Sequence, residues 1–420
     1  MHIASYHEVD TCRICRSNRL HTVLDLGNQA LTGRFPARDE PDPPMAPLRL
    51  IRCDNCNLVQ LGHDFDPNVL FRETYGYRSG MNATMTRHLS EIAQQIESRV
   101  RLKPADVVLD IASNDGTLLN SYTVKGLRRI GIDPTIAQYQ SYYDKDIATV
   151  ADFFCVEEFR RFFSTEQTRA VTTIAMFYDL ADPARFVSDV ASILADDGVW
   201  VLEQSDLGKM LESHSFDTIC HEHRAYYGFS QIRQLVKDAG LRLFDIEFNP
   251  INGGSARFFV CHLDGPYTTN ENAMSAASQR DDALRRAGLV PFQSFRNAVL
   301  ELRAKLCEFL QTEVVNGKRI HVYGASTKGN VLLQYFGIGP DLIQAAADRN
   351  PVKWGRRTPG TGIPIISEEE SRAANPDYYL VLPWHFRDEF ISREENFLRK
   401  GGKLIFPLPK FELVGADIHQ

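Results

Sequence analysis

Short apolar runs alternate with amphipathic stretches through the middle of the chain, and this alternation predicts the fold. Apolar residues recur at helical spacing in MNATMTRHLSEIAQQIESRVRL, where Leu89, Ile92 and Ile96 share one stripe. A helix is also predicted in DPARFVSDVASILADDG, and strands in ADVVLDI, RRIGIDP, AVTTIAMFYDL and GVWVLEQSD. Strands that alternate with helices predict a doubly wound parallel sheet.

A second α/β region follows a polar stretch that begins near residue 265, DGPYTTNENAMSAASQRDD. A long helix is predicted in PFQSFRNAVLELRAKLCEFLQTEVVNG. Strand–helix alternation then resumes, in KRIHVYGAS, TKGNVLLQYFG, LIQAAAD, PDYYLVLPW and KLIFPLP. We therefore predict an α/β protein with a small N-terminal module over 1–75 and two α/β domains over 76–270 and 271–420.

Composition narrows the class of protein. The 420 residues are 43% hydrophobic and 24% charged, as is usual for globular proteins, and the net charge is −7. That charge argues against a broadly basic, nucleic-acid-binding surface. No apolar run is long enough to span a membrane, and MHIASYHEVD lacks the basic and apolar regions of a secretory signal. We expect a cytoplasmic protein, in which the eight cysteines need an explanation other than disulfides.

Four of the eight cysteines form two pairs, Cys12-x-x-Cys15 and Cys53-x-x-Cys56. Two such knuckles complete a tetrahedral set of four thiolates, which suits zinc. Four protein ligands leave no open position on the metal, so we expect a structural zinc. Ordinary buried thiols and a redox pair are the alternatives. Between the knuckles, PARDEPDPP predicts an irregular surface segment.

A cofactor site is predicted where the first two strands of the 76–270 domain end. Asp110 ends the first strand, and Asp133, which could accept both hydroxyls of a ribose, ends the second. The turn after the first strand has a single glycine, Gly116, whereas a dinucleotide pyrophosphate needs several. Its acidic residues favour the cationic S-adenosylmethionine over a dinucleotide, and a plain acidic turn is the remaining alternative. The candidates are Asp110, Ala112, Asn114, Asp115, Gly116, Asp133 and Pro134.

The densest cluster of reactive side chains is His221-Glu222-His223, with Tyr226 and Tyr227 directly after it. Histidine is the commonest general base near neutral pH, a carboxylate can orient it, and tyrosines can donate to an enolate oxygen. A metal site is disfavoured because the histidines lack the i, i+4 spacing of a zinc protease helix. Structural histidines in a loop are the other alternative.

Two later turns predict contacts with a substrate that carries a nucleotide. Asn252-Gly-Gly-Ser255, followed by Arg257, predicts a tight bend beside a ligand or in an edge hairpin. The segment 323–330, YGASTKGN, joins a strand to a helix and would suit a phosphate, with a fold-supporting turn as the alternative. In this scheme Lys328 and Arg257 meet a diphosphate. The substrate-binding candidates are Tyr227, Asn252, Ser255, Arg257, Tyr323, Ser326, Thr327, Lys328, Asn330, Asp348 and His385.

Taken in order, these motifs and Tyr75-Gly-Tyr77-Arg-Ser79 resemble the nucleotide-sugar C-methyltransferase family, which makes branched deoxysugars such as mycarose, noviose and tetronitrose. The resemblance runs over nearly the whole chain. It implies a zinc-binding N-terminal domain, a central class I S-adenosylmethionine domain and a C-terminal Rossmann-like domain that helps to bind the nucleotide-sugar. Two positions depart from the family pattern: Cys220 stands where tyrosine is frequent, and Ala112 where glycine is frequent.

The resemblance also implies a reaction. A dTDP- or GDP-linked 4-keto-6-deoxysugar would be methylated on the carbon next to its ketone, C-3 in the first instance, by a monomer or weak homodimer. His223 would be the base within the catalytic group His221, Glu222 and His223, and a tyrosine of the pair Tyr75 and Tyr77 would lie in the pocket. The alternatives are a non-catalytic protein that binds a nucleotide-sugar or S-adenosylmethionine, and an NAD(P)-dependent sugar-nucleotide oxidoreductase.

Overall fold

The computed structural model describes residues 6–71 and 76–416, so Tyr75 lies outside the described residues. The N-terminal module is antiparallel: β2, β3 and β4 pair in sequence order, and β1 pairs with β5. The segment 36–44 between β2 and β3 is largely irregular, as predicted. The elements are β1 (Tyr6–Glu8), β2 (Leu20–Ala30), β3 (Met45–Cys53), β4 (Val59–Leu61), β5 (His63–Phe65) and α1 (Pro67–Phe71).

The central domain contains the predicted doubly wound sheet. Its strands are β6 (Val107–Ile111), β7 (Arg128–Ile132), β8 (Ala148–Val150), β9 (Thr168–Ile174), β10 (Leu194–Ser205), β12 (Leu241–Asn249) and β13 (Ser255–His262). A two-residue strand, β11 (Ala225–Tyr226), lies outside it. The helices are α2 (Ala83–Val100), α3 (Thr117–Asn120), α4 (Ile136–Tyr139), α5 (Val156–Phe163), α6 (Pro183–Ile193), α7 (Leu207–Glu212) and α8 (Phe229–Asp238).

Strand order in this sheet is β12-β13-β10-β9-β6-β7-β8. The strands β6 to β10 pair in parallel, whereas β13 is antiparallel to both of its neighbours. The carboxyl ends of the parallel strands meet at one edge, where open α/β sheets bind ligands. The strand β11 pairs instead with β4 of the N-terminal module, so one segment of the central domain is part of the module's sheet.

Local sequence explains why α2 forms where the apolar stripe predicts it. The side chain of Asn82 caps the first turn by accepting from the amide of Met85, and Arg101 ends the helix in a left-handed conformation. The predicted stripe, Leu89, Ile92 and Ile96, is buried. This stripe packs against one face of the central sheet.

The C-terminal domain is a second Rossmann-like sheet, as predicted, preceded by two helices. The sheet order is β16-β15-β14-β17-β18-β19, with only β19 antiparallel. The elements are α9 (Glu271–Arg286), α10 (Val290–Val315), β14 (Ile320–Tyr323), α11 (Thr327–Phe336), β15 (Ala345–Asp348), β16 (Ile365–Ser367), α12 (Glu368–Ala373), β17 (Tyr378–Val381), α13 (Arg387–Arg393), α14 (Glu395–Arg399), β18 (Lys403–Phe406) and β19 (Glu412–Val414).

The three parts pack on one another through apolar side chains. One core cluster joins the C-terminal sheet and α10 to Leu48 and Leu50 of the module and to Phe216 of the central domain. A second cluster joins Cys12 and Cys53 to the central sheet. The segment around residues 216–226 therefore lies where all three parts meet. In residues 6–71 and 76–416, no helix combines the length and apolar character needed to cross a bilayer.

Candidate active site

The four paired cysteines converge on one point. Their Sγ atoms all lie within 4.8 Å of one another, with Cys12 and Cys56 3.4 Å apart and Cys15 and Cys53 3.5 Å apart. Zinc–sulfur bonds of about 2.3 Å place tetrahedral ligands roughly 3.8 Å apart, so the four thiols fit a zinc ion. Each knuckle closes with the same turn, in which the amide of Arg16 bonds Cys12 O and that of Asn57 bonds Cys53 O. Four sulfur ligands make this a structural site, as predicted.

A cavity of about 340 Å³ lies at the carboxyl ends of β6, β7 and β9. The turn after β6 forms one side of this cavity. Three of its residues have a positive φ, the left-handed conformation: Ala112 (φ 60°), Asn114 (φ 51°) and Gly116 (φ 75°). Of the predicted cofactor residues, those lining the cavity are Asp110, Ala112, Asn114, Asp133 and Pro134, and Tyr77 lies with them.

Two predicted cofactor residues support this turn from outside the cavity lining. The carboxylate of Asp115 accepts from the amide of Gly80 at 2.9 Å and from the hydroxyl of Thr117 at 2.6 Å. Gly116 has a positive φ, and a Cβ there would lie 2.8 Å from the ring of Tyr143. Both residues therefore hold the turn that carries Asn114.

The two acids at the strand ends are buried and held by hydrogen bonds. Burial raises the pKa of Asp110 to about 7, and the hydroxyl of Thr172 donates to it at 2.5 Å. Asp133 accepts from the amide of Asn114 at 2.9 Å and from both the amide and the hydroxyl of Thr135 at 2.6 Å. Fixed carboxyl groups at these strand ends suit the ribose hydroxyls and cationic groups of S-adenosylmethionine.

His223 has a defined tautomer and lies next to residues that line this cavity: Arg224 follows it in the chain, and Asp179 follows its ring partner Tyr178. Its Nδ1 is 2.7 Å from the carbonyl oxygen of Thr218, and because a carbonyl only accepts, Nδ1 carries the proton. The ring packs 4.2 Å from that of Tyr178. Burial, and secondly the ammonium of Lys328, lower the pKa of His223 to about 3. The imidazole is therefore neutral near pH 7, with Nε2 as its acceptor. At this pKa it is a weak base, and negative charge on a substrate beside it would raise the pKa.

The other two residues of the His-Glu-His run face the N-terminal module. Glu222 is buried, with Thr32 Oγ1 3.5 Å from its carboxyl group, and burial raises its pKa. His221 is fully buried, its Nε2 lies 3.3 Å from Ala46 O, and burial lowers its pKa to about 4. Its ring packs edge-on against Phe65 at 5.1 Å. The structure thus separates His221, which packs against the module, from His223 beside the cavity.

Several predicted substrate residues gather around Lys328. Its Nζ donates to the carbonyl of Asn252 at 3.3 Å. Burial lowers the pKa of Lys328, and Asp217 opposes that shift. Burial and the charge of Lys328 hold the pKa of His385 well below its usual value. Asn252, His385 and His223, from three separate segments, therefore lie close to Lys328 where the central and C-terminal domains meet.

Four other predicted substrate residues are engaged inside the fold. Tyr227 is buried against Phe177 at 5.3 Å. Arg257, expected at a diphosphate, instead makes a buried ion pair with Glu203 at 2.8 Å. Ser255 donates to a backbone carbonyl at 2.9 Å, and Tyr323 donates to Glu394 at 2.7 Å. The bonds of Arg257, Ser255 and Tyr323 tie β13 and β14 to their surroundings, which is a structural task that the sequence pattern did not distinguish from binding. The hydroxyl of Tyr227 is buried without a hydrogen-bond partner among the residues that the structure describes.

The predicted phosphate turn before α11 is also well ordered. Ser326 caps the helix by accepting from the amide of Gly329 at 3.0 Å, and Thr327 is the first helical residue. Asp348 accepts from the amide of Ala325 at 2.9 Å, which fixes the turn to β15. Asn330 is buried and donates to Thr32 O at 2.7 Å, so this helix is tied to the N-terminal module.

Three acidic or basic residues at the site were missed from the sequence. Asp179 and Arg224 line the cavity, directly after Tyr178 and His223 in the chain. Asp217 is buried near Lys328 and accepts from Trp384 Nε1 at 2.9 Å. The signal for Asp179 was available, because it lies at the carboxyl end of the predicted strand AVTTIAMFYDL. Asp217 and Arg224 are recognised only once the loop is folded against the module.

Family comparisons agree with this three-part organisation. Family models match for a zinc binding domain over residues 12–71, a methyltransferase domain over 77–245 and a C-methyltransferase C-terminal domain over 250–409. Together with the fold and the cavity, these matches support an S-adenosylmethionine-dependent C-methyltransferase with a zinc-binding module. The C-methyltransferase NovU of Streptomyces niveus is 29% identical over 416 residues, which cover 97% of this chain and 98% of NovU.

Solved methyltransferases match part of the chain. Magnesium protoporphyrin IX methyltransferase from Synechocystis PCC 6803, with bound S-adenosylhomocysteine, is 13% identical with a TM-score of 0.34, over 43% of this chain and 88% of that one. The Burkholderia thailandensis 1,6-didemethyltoxoflavin-N1-methyltransferase is 15% identical with a TM-score of 0.32, over 44% of this chain and 78% of that one. Each match extends over less than half of this chain.

Proposed function

We propose that the protein methylates a nucleotide-linked 4-keto-deoxysugar on the carbon next to the ketone, C-3, with His223 as the base. One observation carries this proposal: His223 is held as the Nδ1–H tautomer by Thr218 O, and the next residue in the chain, Arg224, lines the cavity at the strand ends. A proton next to a ketone can be removed by a neutral imidazole because the resulting charge moves onto the ketone oxygen.

The chain's own residues supply the parts of this reaction. Nε2 of His223 takes the proton, and its Nδ1–H keeps its bond to Thr218 O while the imidazolium forms. S-adenosylmethionine supplies an electrophilic methyl group when bound. The buried turn of Asn114 and Asp133 fixes the cavity relative to the base.

In this proposal the C-terminal domain binds the diphosphate and the nucleotide of the substrate. The capped start of α11, with Ser326, Thr327 and Lys328, offers backbone amides and a cation to the diphosphate of a dTDP- or GDP-linked sugar. Asp348 at the end of β15 has the position of a nucleotide-binding acid in this kind of sheet. NovU, similar over almost the whole chain, is a C-methyltransferase, which supports the reaction class.

The proposal extends to assembly and place of action. The base, the cavity and the α11 turn all come from one chain, which supports activity as a monomer or weak homodimer. A cytoplasmic location fits four zinc-binding thiols and four further cysteines without disulfides. Tyr75 keeps its proposed role in the pocket on the family resemblance alone.

The test is incubation with S-adenosylmethionine labelled in its methyl group and a panel of dTDP- and GDP-linked 4-keto-6-deoxysugars, followed by mass spectrometry and NMR of the products. We expect a labelled methyl carbon on C-3 with one substrate of the panel, and no product from His223→Ala, which should still bind S-adenosylhomocysteine. Methylation on oxygen, or turnover by His223→Ala near the wild-type rate, would refute the proposal. Calorimetry with NAD and NADP, for which we expect no binding, separates it from an oxidoreductase.

A further inference from the structure

The loop that carries His223 is built into the sheet of the zinc module. Directly after the loop, β11 pairs with β4, with Ala225 opposite Gln60 and Tyr226 opposite Val59. The amide of Leu61 also donates to the carbonyl of Arg224 at 2.8 Å. The strand that follows the proposed base is therefore held by the module rather than by the central sheet.

The first zinc knuckle is joined to this region through Arg13, which lies between the ligands Cys12 and Cys15. The backbone amide of Arg13 donates to Gln60 Oε1 at 3.0 Å, and Gln60 donates to Thr11 O at 3.1 Å. Gln60 is fully buried and sits in β4 opposite Ala225. The backbone of the knuckle is thus fixed to the strand that pairs with β11.

The side chain of Arg13 continues the connection to the loop. Its Nη1 lies 2.9 Å from Asp64 Oδ2, and the other carboxylate oxygen of Asp64 lies 2.7 Å from Nε of Arg224. Arg224 also donates to the carbonyl of Phe65. Both guanidinium groups are only 4% exposed, so one carboxylate bridges two buried cations. Removing the shared partner of buried charges leaves them uncompensated, which displaces or destabilises them strongly.

The second knuckle fixes the other side of the same segment. Gln231, in the first turn of α8, donates from Nε2 to the carbonyl of Cys56 at 2.7 Å. The stretch from Arg224 to Gln231 is therefore bonded to both knuckles. Arg224 is next to His223 in the chain and lines the cavity at the strand ends.

We infer that the zinc knuckles do more than staple the module: Arg13 and Asp64 are positioning residues that hold Arg224, and with it His223, in register beside the cavity. The inference rests on the proposed role of His223 for its effect on catalysis. Its structural part, the dependence of the loop on the Arg13–Asp64–Arg224 bridge, does not need the identity of the substrate.

The test compares Asp64→Asn and Arg13→Met with the conservative variant Arg13→Lys, each with zinc content measured. With zinc retained, we expect Asp64→Asn and Arg13→Met to lower kcat by about 10- to 100-fold, the size expected for a shift of up to about 1 Å at a reacting group. KM for the ketosugar should change little. Arg13→Lys, which keeps a cationic donor, should restore most of the rate.

Hydrogen–deuterium exchange provides a readout that needs no substrate. In Asp64→Asn and Arg13→Met, peptides covering residues 219–226 should exchange faster, while peptides covering 320–336 should not change. Asp54→Asn is the matched control, because Asp54 follows the ligand Cys53 but pairs with His21, at 2.6 Å, and with Arg52, away from the loop. We expect wild-type kcat and exchange from it.

Wild-type kcat and wild-type exchange at 219–226 in zinc-loaded Asp64→Asn and Arg13→Met would overturn the inference. Loss of zinc from both variants would also overturn it, because the bridge would then hold the module together rather than position the loop. If the wild type yields no methylated sugar, the proposed function fails, and the exchange data still decide whether the bridge orders the loop.

Discussion

At the scale of single residues, the protonation of His223 gives the first prediction. The active form of a general base is neutral, and the pKa of His223 is lowered to about 3 by burial and by Lys328. Lowering the pH from 8 to 5 therefore leaves this imidazole neutral, so His223 should add no acidic half-loss near 6.5 to kcat/KM for the ketosugar. Because the pKa of Asp110 in the cofactor cavity is raised to about 7, the pH profile of kcat/KM is measured for Asp110→Asn as well as for the wild type. A loss governed by a group near 6.5 that persists in Asp110→Asn would contradict the tautomer and burial assigned to His223.

A second histidine links burial to stability. His321 is buried in β14, its Nδ1 lies 2.7 Å from Ser371 Oγ, and burial lowers its pKa to about 4. Between pH 6.5 and pH 4, His321 is protonated in the unfolded chain but neutral in the folded protein. This residue therefore lowers the free energy of unfolding as the pH falls. The effect grows as the pH falls below 6.5 and amounts to about 3 kcal/mol near pH 4.

The matching experiment uses His321→Asn, in which the amide keeps a polar group near Ser371. Between pH 7 and 4, the free energy of unfolding of the variant, measured with urea, should improve relative to the wild type by up to that amount. His7→Asn, at an exposed residue of β1, is the control and should follow the wild type. A constant difference between His321→Asn and wild type across this range would show that His321 does not titrate as described.

The backbone at Ala112 gives a third prediction at this scale. Its φ of 60° is left-handed, a conformation that costs an L-residue about 1–2 kcal/mol. Ala112→Gly should therefore stabilise the protein by about 1 kcal/mol in urea unfolding and leave S-adenosylhomocysteine affinity within about twofold. Ala170→Gly, in the buried strand β9, is the contrasting control and should destabilise it. Destabilisation by Ala112→Gly would mean that the alanine methyl group contributes more to the cavity wall than its strain costs.

At the scale of elements, one loop of the zinc module reaches the His-Glu-His run. A Cβ at Gly33 would lie 2.4 Å from Oε1 of the buried Glu222. Gly33→Ala should push this carboxyl group aside and lower kcat about tenfold or more, with zinc content unchanged. Gly339→Ala is the control, since its Cβ would meet only the carbonyl of Thr361 at 3.5 Å. Steady-state kinetics of both variants decide the point, and an unchanged kcat in Gly33→Ala would show that the position of Glu222 is irrelevant.

The elements that were predictable from sequence are those whose pattern is local. The strands β6, β9 and β14 are short, almost entirely buried and bounded by turns, and α2 carries a regular apolar stripe. By contrast, Ala277 is the one fully buried residue of α9. The sequence of this helix, ENAMSAASQRDDALRR, therefore shows no apolar stripe and looks like a polar linker. The strands β2 and β3 mix polar and apolar residues and show irregular register, which hides a period of two. The three-residue β8 is too short to produce any pattern.

At the scale of the whole molecule, the site depends on contacts between distant parts of the chain. The four zinc ligands could be predicted from the sequence because each pair, Cys12-x-x-Cys15 and Cys53-x-x-Cys56, is a local motif. The hydrogen bond from Asn330 to Thr32 and the ion pair of Arg224 with Asp64 join residues that are distant in the chain and belong to no common motif. The sequence therefore could not predict these contacts. For the same reason Tyr227 and Arg257 looked like binding residues, although their chemistry is used in packing and in an internal ion pair.

In the proposed reaction each part of the molecule has a task. Most of the cavity lining comes from the central domain, the module holds Arg224, and the C-terminal domain brings Lys328 and His385 near His223. The proposed base therefore lies where the three parts meet. The proposed reaction requires that His223 remove the proton next to the ketone.

Proton exchange in D₂O tests this claim without methyl transfer. The accepted 4-ketosugar is incubated with the protein and S-adenosylhomocysteine, which has no methyl group to give, and the C-3 hydrogen is followed by NMR. We predict that the wild type replaces this hydrogen with deuterium, whereas His223→Ala leaves it in place while binding S-adenosylhomocysteine with wild-type affinity. Exchange by His223→Ala at the wild-type rate would contradict the assignment of His223 as the base.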